Sequence, residues 1–239
     1  MIQDGLWFIR ICNKNDFPVS DVQIDLIERF VCALLEWNKK INLVSRRDES
    51  NIWSKHILGS VSFLFSVHVH PHSNILDIGT GGGLPGIPLA IVQPSLRVTL
   101  IDSIQKKYRA VKDMLSHLQL KNVDALCGRA EKLSKQKKYG HTFDYVIARG
   151  VGPIEDVVRW SEPFLKRVGK TGGTFHELNA SRSIIPRRSV LLMKGGDLSK
   201  EIEEARMKLK PRVIKTYPIM IRGGEESNLT DKKLVVIQP

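Results

Sequence analysis

The chain has 239 residues, 42% of them hydrophobic, which is enough for one substantial core and somewhat more than a minimal domain needs. Charged residues of both signs make up 26%, which excludes a disordered chain, and a net charge of +12 points to polyanionic partners: nucleic acid, a ribosome or an acidic membrane surface. Cys12, Cys32 and Cys127 form no C-x-x-C pair, so they offer neither a disulfide framework nor a zinc site, and they suit a reducing cytosol.

Residues 1–19 show no clear period and read as a loosely held arm. The apolar run Leu6–Ile11 follows Asp4 and is broken by Arg10, which is not a secretory leader. From Ser20 a helix is expected, with Ser20 or Asp21 as N-cap and Ile27, Phe30, Val31, Leu34 and Leu35 on one face. The polar stretch Trp37–Val44 leaves that helix. A second helix over Glu49–Phe65 carries Ile52, His56, Ile57, Val61 and Phe65, and the histidine-bearing run Val67–Ser73 ends the helical region.

Beyond it the period changes. Asn74–Gly79 is a short apolar strand with a glycine-rich exit. Leu84–Val92 is a helix in which Pro88 must fall in the first turn or bend the axis. Arg97–Asp102 is a strand, Gln105–Leu118 an amphipathic helix, and Val123–Cys127 and Phe143–Ala148 are two more strands, with Cys127 a buried small hydrophobe. Ile154–Leu165 is a helix, Thr171–Arg188 a polar loop or insertion, Ser189–Met193 a strand and Leu198–Leu209 a charged helix. Val213–Met220 and Lys233–Gln238 form a closing antiparallel pair. This alternation predicts an α/β fold with a mostly parallel sheet covered on both faces, preceded by an N-terminal helical extension. Residues 1–73 are assigned to the arm and extension, packed on a Rossmann-like domain over residues 74–239, as one globular unit. No segment reaches the ~20 apolar residues of a membrane span.

The chemistry concentrates at Asp77-Ile-Gly79-Thr-Gly81-Gly-Gly83-Leu84, a glycine-rich turn between a strand and a helix. Gly81, Gly83 and Gly86 also match the dinucleotide fingerprint G-x-G-x-x-G, so the glycines alone do not choose a ligand. Asp77 does. A carboxylate two residues before the first glycine can hold an ammonium group but sits badly beside a pyrophosphate. Asp102, ending the next strand, suits a ribose in either case. The pair therefore favours S-adenosylmethionine and a class I methyltransferase, with a glycine turn serving backbone geometry alone as the plain alternative.

The runs LDIGTGGGLPGIPLAI, LIDSIQKK, GRAEKL, FDYVIARG and LLMKGG resemble the bacterial 16S rRNA guanine-N7 methyltransferase family (RsmG, or GidB), and upstream LLEWNKKINLVSRRD and KHILGS resemble its N-terminal signature. The resemblance spans Leu34–Gly196. It implies methyl transfer from S-adenosylmethionine to N7 of a specific guanosine in 16S rRNA. It further implies that Gly79 and Leu84 contact the donor and that Asp77, Gly81 and Gly83 complete the turn. Asp102 and Ser103 would hold the ribose, and Ala130 and Glu131 would flank the adenine. Arg149 would stand near the donor's methionine end, orienting its carboxylate or an RNA phosphate, and Lys106 and Lys194 would occupy basic positions facing RNA.

Arg149 and Lys194 are thus the candidate catalytic residues, in positioning roles. Arg46, Arg47, His56, Lys106, Lys107 and Lys194 are the candidate RNA contacts, each with an ordinary packed or solvated residue as its alternative. Three departures stand out: Gly59 replaces the family's usual aspartate in HILDS, Gly150 replaces an alanine after Arg149, and Thr171–Arg188 is longer than the usual connection before Met193-Lys194-Gly195.

Guanine N7 carries no proton, so direct in-line attack on the sulfonium methyl needs no general base, and no catalytic His–Asp pair or cysteine nucleophile is evident. The expected partners are 16S rRNA or the small ribosomal subunit, with no membrane, no metal and a monomeric, cytoplasmic protein. His68, His70 and His72 read as a solvated linker rather than metal ligands, and Trp37 and Trp53 as packing rather than base-stacking platforms. A nicotinamide-dependent dehydrogenase and a non-catalytic RNA-binding relic of the fold are the competing functions.

Overall fold

The computed structural model describes residues 2–167, 176–179, 182–227 and 229–239. The chain begins not with a loose arm but with a helix, α1 (Ile2–Lys14). Phe8, Ile11 and Cys12 fall at the i, i+3, i+4 spacing of one helical face and are all buried. Phe8 packs its ring 5.8 Å from that of Trp53. The pattern is only two turns long, too brief to stand out from a sequence window, and its stability comes from docking. Burial pushes the Cys12 thiol up to about 12, so that sulfur is a packing atom.

Helix α2 (Asp21–Asn38) is capped by Ser20, whose side chain accepts from the Gln23 N–H while the Gln23 side chain returns to the Ser20 N–H. Gln23 Nε2 also donates to the carbonyls of Ile91 and Val92, tying the start of α2 to the end of a helix in the second half. At the other end Asn38 Oδ1 accepts from the N–H groups of Leu43 and Val44 and folds the polar exit back on itself. Trp37 donates to Asp113, and Trp53 is 4% exposed in the core, so both tryptophans pack.

The expected second helix is irregular. Arg46–Asn51 is a 3-10 segment, Ile52–Ile57 a π-helical turn, α3 (Leu58–Val61) a single α-turn and Ser62–Phe65 again 3-10. Short π segments inside helices re-aim side chains, often at functional sites, and this one carries Lys55 and His56.

The main sheet, among the described residues, has seven strands: β2 (Asn74–Ile78), β3 (Arg97–Asp102), β4 (Val123–Cys127), β5 (Tyr145–Arg149), β8 (Ser189–Gly195), β9 (Val213–Pro218) and β10 (Lys232–Gln238). Their order is β4-β3-β2-β5-β8-β10-β9. All neighbours are parallel except β10, which runs antiparallel to both β8 and β9, as the closing pair was expected to do. The helices between strands are α4 (Gly86–Val92), α5 (Gln105–Leu118), α6 (Ala130–Leu133), α7 (Ile154–Ser161) and α8 (Ser199–Leu209). Helix α4 starts two residues later than expected, which places Pro88 in its first turn. One apolar core unites Phe8, Leu34 and Ile57 with Ile75, Leu100 and Val236, so the residues before and after Asn74 bury their apolar faces together.

The segment Thr171–Arg188 is not simply a loop. Residues 171–175, 180 and 181 lie outside the described residues, but β6 (His176–Asn179) and β7 (Arg182–Ile184) form an antiparallel pair. Strand β7 adds in parallel to β1 (Val67–His68), with the Ser183 and Ile185 N–H groups donating to the carbonyls of Ser66 and His68. The polar sequence hides these strands because it shows no alternation of apolar and polar residues from which they could be read. The presumed histidine linker is therefore partly strand, and among the described residues no trio of His, Cys, Asp or Glu groups together as a metal site. Cys127, at the end of β4, is half-buried rather than buried. No helix among the described residues is long and apolar enough to cross a membrane.

Candidate active site

Strand order reverses between β2 and β5: β3 and β4 lie to one side of β2, β5 and β8 to the other. In open α/β sheets that reversal splays the connecting loops apart and opens a crevice at the carboxyl ends of the two central strands. The Asp77–Leu84 turn leaves β2 there, and Arg149-Gly150 leaves β5 beside it.

Asp77 is completely buried under the turn. Its Oδ2 accepts from Thr80 Oγ1 at 2.7 Å and from the Gly86 N–H at 2.9 Å, which fixes both ends of the loop. Its Oδ1 is buried without a hydrogen-bond partner. Burial pushes this carboxyl up to about 7, against the lowering pull of Thr80, the Gly86 N–H and the Arg149 charge. An orphaned buried carboxylate oxygen is costly unless a ligand completes it, and an ammonium group is the complement. Asp102 accepts from the Gly81 N–H at 3.0 Å with one oxygen and from the Ile104 N–H at 2.8 Å with the other. Each oxygen keeps a second lone pair for a ribose hydroxyl.

Gly79 and Gly81 have φ of +69° and +57°, the left-handed region that side-chain-bearing residues avoid. A Cβ on Gly79 would meet Val151 Cγ2 at 2.8 Å, whereas one on Gly81 would project into open space. Gly79, Asp102, Ser103, Ala130 and Glu131 line one cleft of about 310 Å³. Lys107 lines it as well, although it was expected on the RNA side. Asp77, Gly81, Gly83 and Leu84 do not line the cleft: Asp77 is fully buried beneath the turn, a Cβ on Gly83 would strike Ile87 at 2.4 Å, and Leu84 is 7% exposed. Gly83 and Leu84 seat the turn on α4. Ile101, Gly128, Val151 and Trp160 carry no signature in the sequence, and they line the cleft from β3, the loops after β4 and β5, and α7.

Arg149 faces a second cavity of about 490 Å³, which shares Gly150 with the first. The π-helical turn holds its guanidinium. Nη1 donates to the His56 carbonyl and to Ser60 Oγ, each at 3.2 Å, and Nη2 donates to His56 Nδ1 at 2.6 Å. His56 Nε2 then faces Asp48 Oδ2 at 3.5 Å. Burial, together with the neighbouring Arg149 charge, pulls His56 down to about 4, so at neutral pH it is an uncharged acceptor. Burial also works against the Arg149 charge, which Asp77 and Asp48 support from a distance. Among the described residues Arg149 has no carboxylate in ion-pair contact, so its charge is available to an anionic ligand group.

Gly59 stands directly beside it: a Cβ there would lie 3.3 Å from Arg149 Nη1. We predict that Gly59→Asp places a carboxylate on the guanidinium and raises stability by about 1 kcal/mol, or roughly 2–4 °C in Tm. Scanning calorimetry checks this, and a fall of that size would mean that the cavity cannot take the side chain.

Lys194, one residue past the β8 position paired with Arg149, lines the same cavity and ion-pairs with Glu201. His56 is therefore a support for Arg149 rather than an exposed contact. Arg46, Arg47 and Lys106 are exposed on the outside, lining neither cavity. A larger groove of about 800 Å³ between α1 and residues 50–54 contains none of the glycine-turn or strand-end residues.

Solved structures share this fold. A SAM-dependent methyltransferase from Aquifex aeolicus superposes with a TM-score of 0.50 at 14% identity, covering 80% of this chain and 94% of that one. A predicted O-methyltransferase from Agrobacterium tumefaciens gives 0.51 at 16% identity, covering 76% and 79%. Among curated proteins, the ribosomal RNA small subunit methyltransferase G of Flavobacterium johnsoniae is 37% identical over 189 residues, 79% of this chain and 81% of its own length. Its namesake from Chlorobaculum tepidum is 34% identical over 232 residues, 95% and 94% of the two chains. The family described as rRNA small subunit methyltransferase G (GidB) matches residues 23–183, a stretch that begins in α2 and contains the glycine turn, the Asp102 strand end and Arg149 with its histidine support. With two thirds of its length in that match and near full-length relatives at about a third identity, the chain belongs to this family of S-adenosylmethionine-dependent methyltransferases.

Proposed function

We propose that the protein methylates N7 of one guanosine in 16S rRNA, within the small ribosomal subunit or its precursor RNA. The donor supplies an electrophilic methyl on a sulfonium centre. Asp77 Oδ1 takes its ammonium group, Arg149 its carboxylate, Asp102 and Ser103 its ribose, and Ala130 and Glu131 flank its adenine. The electrostatic coupling of Asp77 and Arg149 suits the zwitterionic head of an amino acid.

The observation that supports the N7 reading is that the imidazole beside Arg149 is no usable base: burial and the Arg149 charge pull His56 down to about 4, and its Nδ1 lone pair already accepts from Arg149. N7 presents a lone pair and no proton, so alignment and exclusion of water suffice. A carbon or exocyclic-amine acceptor would have to lose a proton. The exposed charges of Arg46, Arg47 and Lys106, within a net charge of +12, contact phosphates and set the RNA's register.

Incubation with tritiated donor and undermethylated small subunits, followed by mapping of 7-methylguanosine, tests this. One modified guanosine in 16S rRNA is expected. Methyl groups on another base atom would end the N7 proposal while leaving the family assignment intact.

A further inference from the structure

The Arg149 cavity also holds a second, distinct arrangement. Lys194 Nζ and Glu201 Oε1 lie in direct contact in its wall, with side chains only 19% and 28% exposed. Glu201 Oε1 also accepts from the Ile154 N–H at 2.7 Å, which pins the carboxylate at the start of α7. Its Oε2 accepts no hydrogen bond among the described residues, and an ammonium keeps further donors beyond the one it gives. The cavity wall thus presents a donor and an acceptor side by side, held rigidly by a strand, a helix and a helix terminus.

That order is the complement of one purine edge. On guanine, O6 accepts and the adjacent N1–H donates. On adenine, the same two positions carry a donating amino group and an accepting N1. Lys194 against O6 and Glu201 against N1–H satisfies guanine twice and clashes with adenine twice. N7 lies on the far side of O6, so a guanine read in this way turns N7 away from the pair, toward the rest of the cavity and the junction at Gly150 with the donor cleft.

Resting on the N7 reading above, we propose that the Lys194–Glu201 pair is the guanine-specificity element of this enzyme, reading the Watson–Crick edge of an extruded target base. Unpaired bases drawn into enzyme pockets are commonly read on that edge. Leaving a polar pair unmatched in a shielded site is what gives large discrimination.

The test uses the full-length protein and small subunits reconstituted from undermethylated 16S rRNA. The target position carries either guanosine or 2-aminopurine riboside, which keeps N7 and the 2-amino group but lacks O6 and N1–H. The wild-type enzyme is expected to favour guanosine by on the order of 100-fold in kcat/KM. Glu201→Gln should lower the guanosine rate and bring the ratio close to one, with donor affinity within about twofold of wild type. Intrinsic differences in N7 reactivity cancel between the two enzymes.

If Glu201→Gln instead weakens donor binding through loss of the α7 contact, Lys194→Met leaves that contact in place and carries the same ratio test. A variant that slows both substrates equally, or keeps the wild-type ratio, overturns the proposal. A wild-type enzyme that forms no 7-methylguanosine overturns the N7 reading and this inference with it.

Discussion

Asp77→Asn is expected to weaken binding of S-adenosylhomocysteine by about 1.5–3 kcal/mol, on the order of 10- to 100-fold. The substitution keeps the size of the side chain. Its carbonyl can still accept from Thr80 and the Gly86 N–H, so the turn stays closed. What changes is the orphaned Oδ1, which becomes an amide N–H₂ facing a ligand ammonium.

The pH dependence separates this account from a simple loss of shape. In the free enzyme the Asp77 carboxyl titrates at about 7, because burial disfavours its charge. An ammonium beside it favours the ionised form. Donor binding below about pH 7 must therefore release a proton, and affinity must rise with pH toward 7 and level off above it. Calorimetry in buffers of differing ionisation enthalpy counts that proton. His56, held near 4, does not titrate in this window.

The contribution of Asp77 to the folding stability of the ligand-free enzyme moves the opposite way. A carboxyl raised in the folded state binds its proton more tightly there than in the unfolded chain. Its contribution is thus intact below about pH 4 and is lost as pH rises toward 7. Asp77→Asn should remove the proton release and this share of the stability slope; an unchanged proton release in the variant would locate the titrating group elsewhere.

Gly81→Val should abolish measurable donor binding while leaving the protein folded. Gly81 has φ of +57°, and forcing a β-branched residue there costs about 1–2 kcal/mol. That is a fraction of a typical domain's stability. No protein atom lies within 4 Å of the added Cβ, so the core is not disturbed. The side chain instead occupies the mouth of the turn, and the strained backbone draws the Gly81 N–H away from Asp102. RNA affinity, set by exposed charges elsewhere, is expected to change little. Equilibrium dialysis with donor and filter binding with 16S rRNA, run on the same preparation, give the two readouts. Normal donor binding by Gly81→Val would place the pocket away from this loop.

Sequence alone determined the parts of this protein that depend on neighbours in the chain. The apolar run at Asn74–Ile78 could only be a buried strand. The left-handed positions after it needed glycine, and Asp77 and Asp102 mark two strand ends by their spacing. These features are written in local φ/ψ preference and local burial, so they survive being read one window at a time.

Tertiary structure decided what depends on partners far along the chain. Helix α1 exists because Trp53 and the core receive Phe8, and β7 exists because β1 offers it an edge. The π-helical turn and α3 bring His56 and Ser60 to an arginine about ninety residues away. Glu201 and Lys194 lie seven residues apart on different elements, and only the packing of α7 against α8 brings Glu201 to Ile154. Gly59, where the resemblance expects an aspartate, was visible as a letter. That a half-buried arginine beside it has no carboxylate in ion-pair contact among the described residues required the tertiary structure, because Coulomb energy and desolvation are fixed by three-dimensional separation and burial rather than by order in the chain.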